Sequence, residues 1–329
     1  MSYTHLTAGE RYHIDELLRQ DFTQVSIAKE LGRSVSSISR ELRRNKGARG
    51  WRPQQAHEKA KNKLIARGKA NARKIDESAW HFALEKLKND QWSPEQINGR
   101  LKKDKLPSIS HESIYQRILN DKRLGGDLYT HLRCKKKRKK RYGAKDAGRG
   151  CIPNRVDIDE RPGIVDKRQR VGDWEGDTVI GSHTGGAVIA TMVERKSRFT
   201  VVSKSKDKTT KSVIDGIIKQ MKSLPALVET VTFDNGKEFS SHHRLTTGLG
   251  SDIYFAKPYH SWERGLNENT NGLLRQYFPK KTSFDNIAEH EFHSAAKKLN
   301  NRPRKCLGYS TPLEVFTKLA AKKGIALRI

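Results

Sequence analysis

The sequence contains few cysteines and no long hydrophobic segment. Its cysteines, Cys134, Cys151 and Cys306, are scattered through 329 residues and form no Cys-x-x-Cys pair. Such spacing indicates neither a disulfide framework nor a zinc ribbon. No apolar run reaches the roughly 18 residues that span a bilayer, and residues 1–10 lack the pattern of a signal peptide. We therefore expect a soluble, cytoplasmic chain without a membrane partner.

Acidic residues are outnumbered by basic ones. The chain carries 66 Lys and Arg against 37 Asp and Glu, which gives a formal net charge of +29. An excess of this size favours a polyanionic partner, because lysine and arginine bind phosphates and release counterions. An anionic membrane is the weaker alternative, since no predicted helix combines a basic face with a wide apolar one. We expect a nucleic-acid-binding protein, and its length allows two or three domains.

Three acidic residues of the C-terminal half lie in segments that predict two strands and a helix. Asp177 follows Trp-Glu-Gly at 174–176, Asp234 follows the apolar run at 230–233, and Glu268 comes 33 intervening residues after Asp234. Three carboxylates from such elements can bind a pair of hard divalent cations through oxygen alone. Two ions about 3.5–4 Å apart can activate a water or a 3′-hydroxyl and stabilise the leaving oxygen of a phosphodiester.

Other acidic residues compete for the same positions. Glu263 could replace Glu268 by spacing alone. Asp173 and Glu175 share a predicted strand face with Asp177, because side chains alternate along a strand. We expect Glu175 and Glu238 to pair with nearby lysine or arginine instead. The residues themselves leave the choice between Glu263 and Glu268 open.

The run at 264–280 resembles the signature of the IS30 family of bacterial insertion-sequence transposases. That family belongs to the DDE transposases and retroviral-type integrases, which have an RNase H-like catalytic core. Trp-Glu-Gly-Asp at 174–177 matches its first acidic motif, and the 33-residue gap from Asp234 to Glu268 is typical of it. The resemblance covers nearly the whole chain.

The resemblance implies a function and a site. Asp177, Asp234 and Glu268 become the expected catalytic residues and metal ligands, with Glu268 preferred over Glu263. The expected cofactor is Mg²⁺ or Mn²⁺, with two ions per site. The expected reaction is cleavage of terminal inverted repeats and joining of their 3′-hydroxyls to target DNA by direct transesterification. Because two ends must be joined, we expect at least a dimer on double-stranded DNA, working at the bacterial nucleoid.

Residues 1–48 predict a helix-turn-helix domain. Thr7-Ala8-Gly9-Glu10 is a capping box, a second helix is expected with Val25, Ala28 and Leu31 inward, and Gly32 allows a sharp turn before a third helix capped by Ser34. The third helix leaves a polar and basic face for DNA. Its candidate DNA-binding residues are Ser36, Ser37, Arg40, Arg43 and Arg44. Residues 49–74 are basic without clear periodicity and are expected to form a linker.

Residues 75–132 predict a second helical, helix-turn-helix-like module. Ser93 and Ser110 begin helices as caps, and Ile114 and Ile118 are expected to face inward. The candidate DNA-facing residues are His111, Tyr115 and Arg117. A helical spacer is nearly as good an interpretation. A basic linker is expected at 133–160, where it could also lie along a phosphate backbone.

Residues 161–320 predict an α/β catalytic core, followed by a tail at 321–329. Strands are expected at 171–180, 187–195, 198–204, 230–233 and 251–257, with a helix at 212–224. This order is that of a mixed sheet with helices on both sides, as in an RNase H-like fold. The whole chain is therefore expected to be multidomain, with an all-α helix-turn-helix region before the core.

The predicted helix around Glu268 has two distinct faces. Arg264, Glu268, Asn271 and Arg275 recur on one side, while Leu266, Leu273, Leu274 and Tyr277 occupy the other. The polar face predicts that Glu268 reaches metal and that Arg264, Asn271 and Arg275 face DNA. Two other functions remain open at this point, a DNA-binding regulator with a degenerate core and a ribonuclease H. The presence of all three acidic residues argues against a regulator with a degenerate core. The two predicted DNA-reading modules argue against a ribonuclease H, which would not need them.

Overall fold

The computed structural model describes residues 5–70, 76–133, 152–182, 186–257 and 265–327. The chain divides into one unit of Met1–Lys74 and another of Ile75–Ile329. The first unit is helical, and its elements are α1 (Ala8–Arg19), α2 (Gln24–Glu30), α3 (Val35–Arg44) and α4 (Pro53–Ala70).

Side-chain caps begin the first three helices of this unit, α1 to α3. The amide of Glu10 donates to the Thr7 hydroxyl at 3.2 Å, and the Thr7 amide donates to the Glu10 carboxylate at 2.7 Å. Ser34 caps α3 by accepting from the Ser37 amide at 3.3 Å. Gly32, in the turn between α2 and α3, has a φ of +59°, which a glycine adopts without strain. These contacts confirm the predicted helix-turn-helix.

The core of the first unit differs from the prediction at one helix. Val25 was expected to face inward but is 63% exposed, whereas Ile27 is fully buried beside Ala28. In a helix of seven residues the sequence allows two nearly equivalent apolar stripes, and packing against α1 and α3 selects the one that contains Ile27. The remaining core is formed by Ile14, Leu17 and Ile38.

Residues 53–70, expected to lie in a basic linker, form helix α4 and pack against α1. Ala56 is fully buried in this contact. The ammonium of Lys59 donates to the Lys46 carbonyl at 2.8 Å, and that of Lys63 donates to the Arg44 carbonyl at 2.6 Å. Because the buried contact is made by an alanine, no apolar periodicity reveals this helix in the sequence.

The second unit begins with a three-helix module of α5 (Glu77–Lys88), α6 (Pro94–Lys103) and α7 (His111–Arg123). Ser93 and Gln96 form a capping box at the start of α6, and Ser110 caps α7. Ile114 and Ile118 are each 2% exposed, which confirms that they face inward. The module has its own apolar core around Leu87 and Ile97.

The rest of the second unit is built on a mixed sheet. Its helices are α8 (Ile164–Lys167), α9 (Thr210–Met221), α10 (His243–Leu249), α11 (Gly265–Leu274), α12 (Glu289–Asn300) and α13 (Pro312–Lys322). Its strands are β1 (Asp173–Ile180), β2 (Val188–Glu194), β3 (Thr200–Ser205), β4 (Thr230–Phe233) and β5 (Asp252–Phe255). Among the described residues the strand order is β3-β2-β1-β4-β5, with β1 antiparallel to β2 and parallel to β4.

Helices cover both faces of this sheet. Val188 and Ala190 of β2 pack with α9, α10 and α13, whereas Ile189 packs with α11 and α12. Alternating residues of one strand therefore enter different cores, as expected for a strand buried on both sides. This arrangement confirms the predicted RNase H-like α/β core with helices on both sides.

Two segments expected to be free of structure pack onto the core where they are described. In the predicted linker, Ile152 is 3% exposed, and the Phe255 amide donates to the Val156 carbonyl at 2.9 Å. In the predicted tail, Ile325 and Leu327 pack against the core that contains α13. The basic run at 134–151 lies outside the described residues. None of the described helices is both long and apolar enough to cross a membrane.

Candidate active site

Two strands bring Asp177 and Asp234 together. Strands β1 and β4 pair in parallel, with Glu175 opposite Thr232. Continuing this register by two residues places Asp177 beside Asp234, at the carboxyl end of β4. Both aspartates are half-buried and line one cleft of about 790 Å³. The two aspartates therefore lie side by side at one edge of the sheet.

Two glycines allow neighbouring side chains to pack directly against the backbone beside the cleft. A Cβ on Gly176 of β1 would lie 2.1 Å from the ring of Phe233, the last residue of β4. A Cβ on Gly236 would lie 2.8 Å from the Asp234 carboxylate, which accepts a hydrogen bond from the Gly236 amide at 2.9 Å. A larger residue at either position would displace Asp177 or Asp234.

The competing acids have basic partners. Glu175 is 1% exposed at its side chain and pairs with Arg195 at 2.6 Å. Glu238 is 5% exposed at its side chain, pairs with Lys208 at 3.1 Å and accepts a hydrogen bond from the Thr178 hydroxyl at 2.7 Å. These contacts confirm the predicted pairing of both residues.

Helix α11 crosses the strand face that carries Glu175 and Asp177. The Asn271 amide group donates to the Asp177 carboxylate at 2.8 Å and accepts from the Thr191 hydroxyl at 3.0 Å. Nearer the start of the helix, the Asn267 backbone amide donates to the Glu175 carboxylate at 3.3 Å. Glu268 lies three residues before Asn271, one turn away on the same side of the helix.

The structure leaves Glu268 apart from the two aspartates. Its side chain is exposed and does not line the cleft around Asp177 and Asp234. Across the described residues, no group of three His, Cys, Asp or Glu side chains is arranged to hold a metal ion. Glu263, the competing residue, lies outside the described part of the chain. The two aspartates fit a hard divalent cation in donor chemistry and supply two of the three expected ligands.

Comparison with known proteins decides the family. A family model described as a helix-turn-helix domain matches residues 2–45, and one described as an integrase core domain matches residues 167–261. The transposase for insertion sequence element IS4351 of Bacteroides fragilis is 41% identical over 98% of this chain and 98% of that protein. The chain belongs to the IS30-type family of insertion-sequence transposases.

Further relatives of this transposase agree. Transposase InsI for insertion sequence element IS30A of Escherichia coli (strain K12) is 38% identical over 98% of this chain and 85% of that protein. The transposase for insertion sequence element IS1086 of Cupriavidus metallidurans is 34% identical over 97% of this chain and 96% of that protein. These matches confirm the family expected from the sequence. The chain is a DDE-type polynucleotidyl transferase, and its integrase core implies a catalytic site that depends on a divalent metal.

The polar face of α11 makes more contacts within the transposase than the sequence predicts. The Arg275 guanidinium donates to the Ile180 carbonyl at the end of β1 at 2.6 Å and lies 5.8 Å from the Phe284 ring centroid. Burial lowers the pKa of Arg275. Asn271 and Arg275 thus bind β1, although both were expected to face DNA. Arg264 lies outside the described residues.

The first unit presents most of its predicted DNA-binding residues to solvent. Ser36, Arg40, Arg43 and Arg44 are exposed, and Ser37 is half-buried with its hydroxyl 2.9 Å from that of Ser34. Arg40 folds back along α3, where its guanidinium donates to the Ser36 hydroxyl at 2.7 Å.

Helix α4, which sequence reasoning missed, adds to this surface. Arg40 and Arg44 of α3 line a cleft of about 460 Å³ together with Lys61 of α4. Pro53 at the first helical position is the one local signal in the sequence that marks the start of this helix.

In the second module, His111, Tyr115 and Arg117 are all exposed on α7. The Arg117 guanidinium lies over the Trp80 ring, 4.7 Å from its centroid. Such a contact holds the guanidinium in one orientation while leaving it accessible.

Proposed function

We propose that Asp177, Asp234 and Glu268 form the catalytic centre with which this transposase cleaves insertion-sequence ends and joins them to target DNA. The parallel register of β1 and β4 carries the proposal, because it sets Asp177 beside Asp234. The hydrogen bond from Asn271 to Asp177 supports the third member, because it ties the helix of Glu268 to the same strand. The proposal requires the Glu268 side chain or the start of α11 to move until the third carboxylate reaches the pair.

The residues of the cleft have separate roles in this proposal. Asp177, Asp234 and Glu268 bind two Mg²⁺ or Mn²⁺ ions, which supply activation of a water or 3′-hydroxyl and stabilisation of the leaving oxygen. Asn271 and the Thr178 amide, which donates to the Asp177 carboxylate at 2.8 Å, fix the orientation of that carboxylate. Lys208 and Lys237 line the cleft, where their charge attracts the scissile phosphate.

The substrate is double-stranded DNA, namely the terminal inverted repeats and the target. In the first unit, Ser36, Ser37, Arg40 and Arg43 of α3 contact bases or neighbouring phosphates, while Arg44 and Lys61 bind the backbone in the cleft beside α4. In the second unit, His111, Tyr115 and Arg117 are the candidate contacts of α7, and Arg264 is the candidate contact just before the catalytic helix. At least two protomers act together at the nucleoid, because two ends are joined.

A strand-transfer assay tests this function against its two alternatives. The full chain is incubated with Mg²⁺, labelled element-end DNA and a target plasmid. A transposase yields end-specific nicks and joined products. A DNA-binding regulator binds the ends and yields neither, and a ribonuclease H cleaves only an RNA–DNA hybrid. Absence of joined products with intact end binding would contradict the proposal.

A further inference from the structure

Arg302 is an arginine buried in the interior of the second unit. It lies just after α12 and is 2% exposed. Its guanidinium donates to the Gln276 side-chain oxygen at 3.1 Å and to the Tyr277 hydroxyl at 2.6 Å. The same group donates to the backbone carbonyl of Asp90 at 3.3 Å.

The three acceptors belong to two different parts of the fold. Gln276 and Tyr277 form the turn that ends α11, where their amides donate to Leu273 and Leu274 at 3.0 Å. Asp90 lies between α5 and α6 of the three-helix module. One guanidinium therefore joins the module to the end of the helix that carries Glu268. Glu268 is about 9 Å from Leu274 along the helix axis, at about 1.5 Å per residue.

A contribution to stability does not by itself explain why an arginine is buried at this position. The hydrogen bonds of Arg302 found among the described residues go to an amide oxygen, a hydroxyl and a carbonyl, and its Nε is buried with no partner there. Burial lowers the pKa of Arg302, and burial likewise lowers the pKa of the neighbouring Arg304 to about 10. An apolar side chain of similar volume is often at least as stabilising as a buried charge, so a geometric role is the better reason for the arginine.

Other contacts hold the same module to the core without touching α11. Arg100 pairs with Glu314 at 2.7 Å, and Lys305 pairs with Glu95 at 2.7 Å. The Tyr309 ring lies over Gly99, where a Cβ would come within 2.2 Å of it. The module is thus docked by several contacts, and that of Arg302 reaches the turn at the end of the catalytic helix.

We propose that Arg302 is a positioning residue that couples the three-helix module to the active site by fixing the turn at the end of α11. The inference rests on the proposed function, in which α11 supplies Glu268. With the turn fixed, α11 keeps the register on β1 in which Asn271 contacts Asp177. The module of residues 76–132 is then a working part of the catalytic unit as well as a DNA-binding or spacing element.

Tyr277→Phe gives the mildest test, because it removes one hydroxyl and keeps the ring that lies 5.8 Å from the Arg302 guanidinium. Single-turnover cleavage of element-end DNA is measured with the full chain in Mg²⁺. The expected result is a rate constant lowered roughly tenfold, as for a small misplacement of catalytic groups, with an unchanged reaction amplitude. The matched control Lys305→Gln weakens the same junction away from α11, and its rate constant should equal that of the parent.

Arg302→Met separates positioning from stability. We expect a melting temperature equal to or above that of the parent together with a rate constant lowered at least as far as in Tyr277→Phe. A lowered amplitude with an unchanged rate constant in both variants would mean a loss of folded protein only and would overturn the inference. Parent-like rates in both variants would overturn it too.

Glu268→Gln is run in parallel to identify which claim fails. If that variant still cleaves, the proposed catalytic centre is wrong. If it is inactive while Tyr277→Phe and Arg302→Met behave as the parent, only the role of Arg302 is wrong.

Discussion

The side-chain amide of Asn271 donates a hydrogen bond of 2.8 Å to the carboxylate of Asp177. This bond joins α11 to β1 at the point where the two aspartates meet. Thr191, on the neighbouring strand β2, donates to the Asn271 oxygen at 3.0 Å and so sets which end of the amide faces Asp177. The orientation of the Asp177 carboxylate, a member of the proposed catalytic centre, thus depends on a residue of the helix that carries Glu268.

Replacing Asn271 should slow the reaction more than it weakens DNA binding. Asn271→Ala removes the donor to Asp177, and removal of a hydrogen bond to a charged group corresponds to about 1.5–3 kcal/mol, or roughly a tenfold to hundredfold lower cleavage rate. Thr191→Val removes the bond to the Asn271 oxygen and a longer one of 3.3 Å to the Asp177 backbone carbonyl. It keeps the bond from Asn271 to the Asp177 carboxylate and should cost less. Single-turnover cleavage and end-binding titrations check both variants. If Asn271→Ala weakened DNA binding but cleaved bound DNA at the parent rate, its role would be the DNA contact predicted from the sequence.

Metal binding should depend on both aspartates. Asp177→Asn and Asp234→Asn each remove one proposed anionic ligand and should weaken Mn²⁺ binding. Binding is measured directly by electron paramagnetic resonance, because bound Mn²⁺ no longer contributes to the signal of the free ion. Asp252→Asn, at the exposed start of β5, is the control and should bind Mn²⁺ as the parent does. Removing metal with a chelator should abolish cleavage and spare end binding. Parent-like Mn²⁺ affinity in both site variants would place the metal elsewhere.

Different residues of the first unit should contact DNA bases and the DNA phosphate backbone, so that substitutions affect the two kinds of contact separately. Arg40→Ala should relax sequence preference, by about 1–3 kcal/mol if it contacts a guanine. Lys61→Gln should weaken binding to every sequence alike and lower the log–log salt slope by about 0.9, as expected when the protein neutralises one phosphate fewer on duplex DNA. The exposed Lys29 of α2, changed to Gln, is the control for loss of charge alone. Equal slopes for Lys61→Gln and Lys29→Gln would exclude the cleft beside α4 as a phosphate site.

Acid should destabilise the first unit through Glu10. A hydrogen bond from the Arg33 guanidinium lowers the pKa of Glu10 from 4.5 to about 2. Because the folded-state pKa lies below the unfolded one, the contribution of Glu10 to stability is complete above pH 4.5 and disappears as the pH falls towards 2. The Glu10 side chain is 20% exposed, so screening by solvent should keep the effect modest.

Glu10→Gln provides the matched comparison, because glutamine retains the capping box but does not titrate. Thermal melting of a fragment of residues 1–74, followed by circular dichroism, should show a smaller loss of stability between pH 4.5 and 2 for Glu10→Gln than for the parent. If the parent and Glu10→Gln lost the same stability between pH 4.5 and 2, the Glu10 carboxylate would not contribute to the acid sensitivity of the first unit.

Much of this fold and part of its site can be predicted from local sequence. Neighbouring residues indicate the Thr7 and Ser93 capping boxes, the strand that ends just before Asp234 and the two faces of α11, and the structure has all of them. Val25 was misplaced because a short helix offers two similar apolar stripes. Helix α4 was missed because its buried contact is an alanine.

The role of Arg302 could not be predicted because nothing local signals it. Its partners Asp90 and Gln276 are remote in sequence, and a single arginine gives no pattern by which its burial can be foreseen. The contacts of Asn271 and Arg275 were likewise hidden, since a polar helix face predicts exposure to DNA as well as it predicts contact with β1. Tertiary packing decides such cases.

The most direct measurement compares Glu268→Gln with Glu263→Gln in the Mg²⁺ strand-transfer assay on element-end DNA. We predict that Glu268→Gln abolishes both nicking and joining while it binds the ends as the parent does, and that Glu263→Gln remains active. Cleavage that persists in Glu268→Gln and fails in Glu263→Gln would contradict the account and assign the third carboxylate to Glu263.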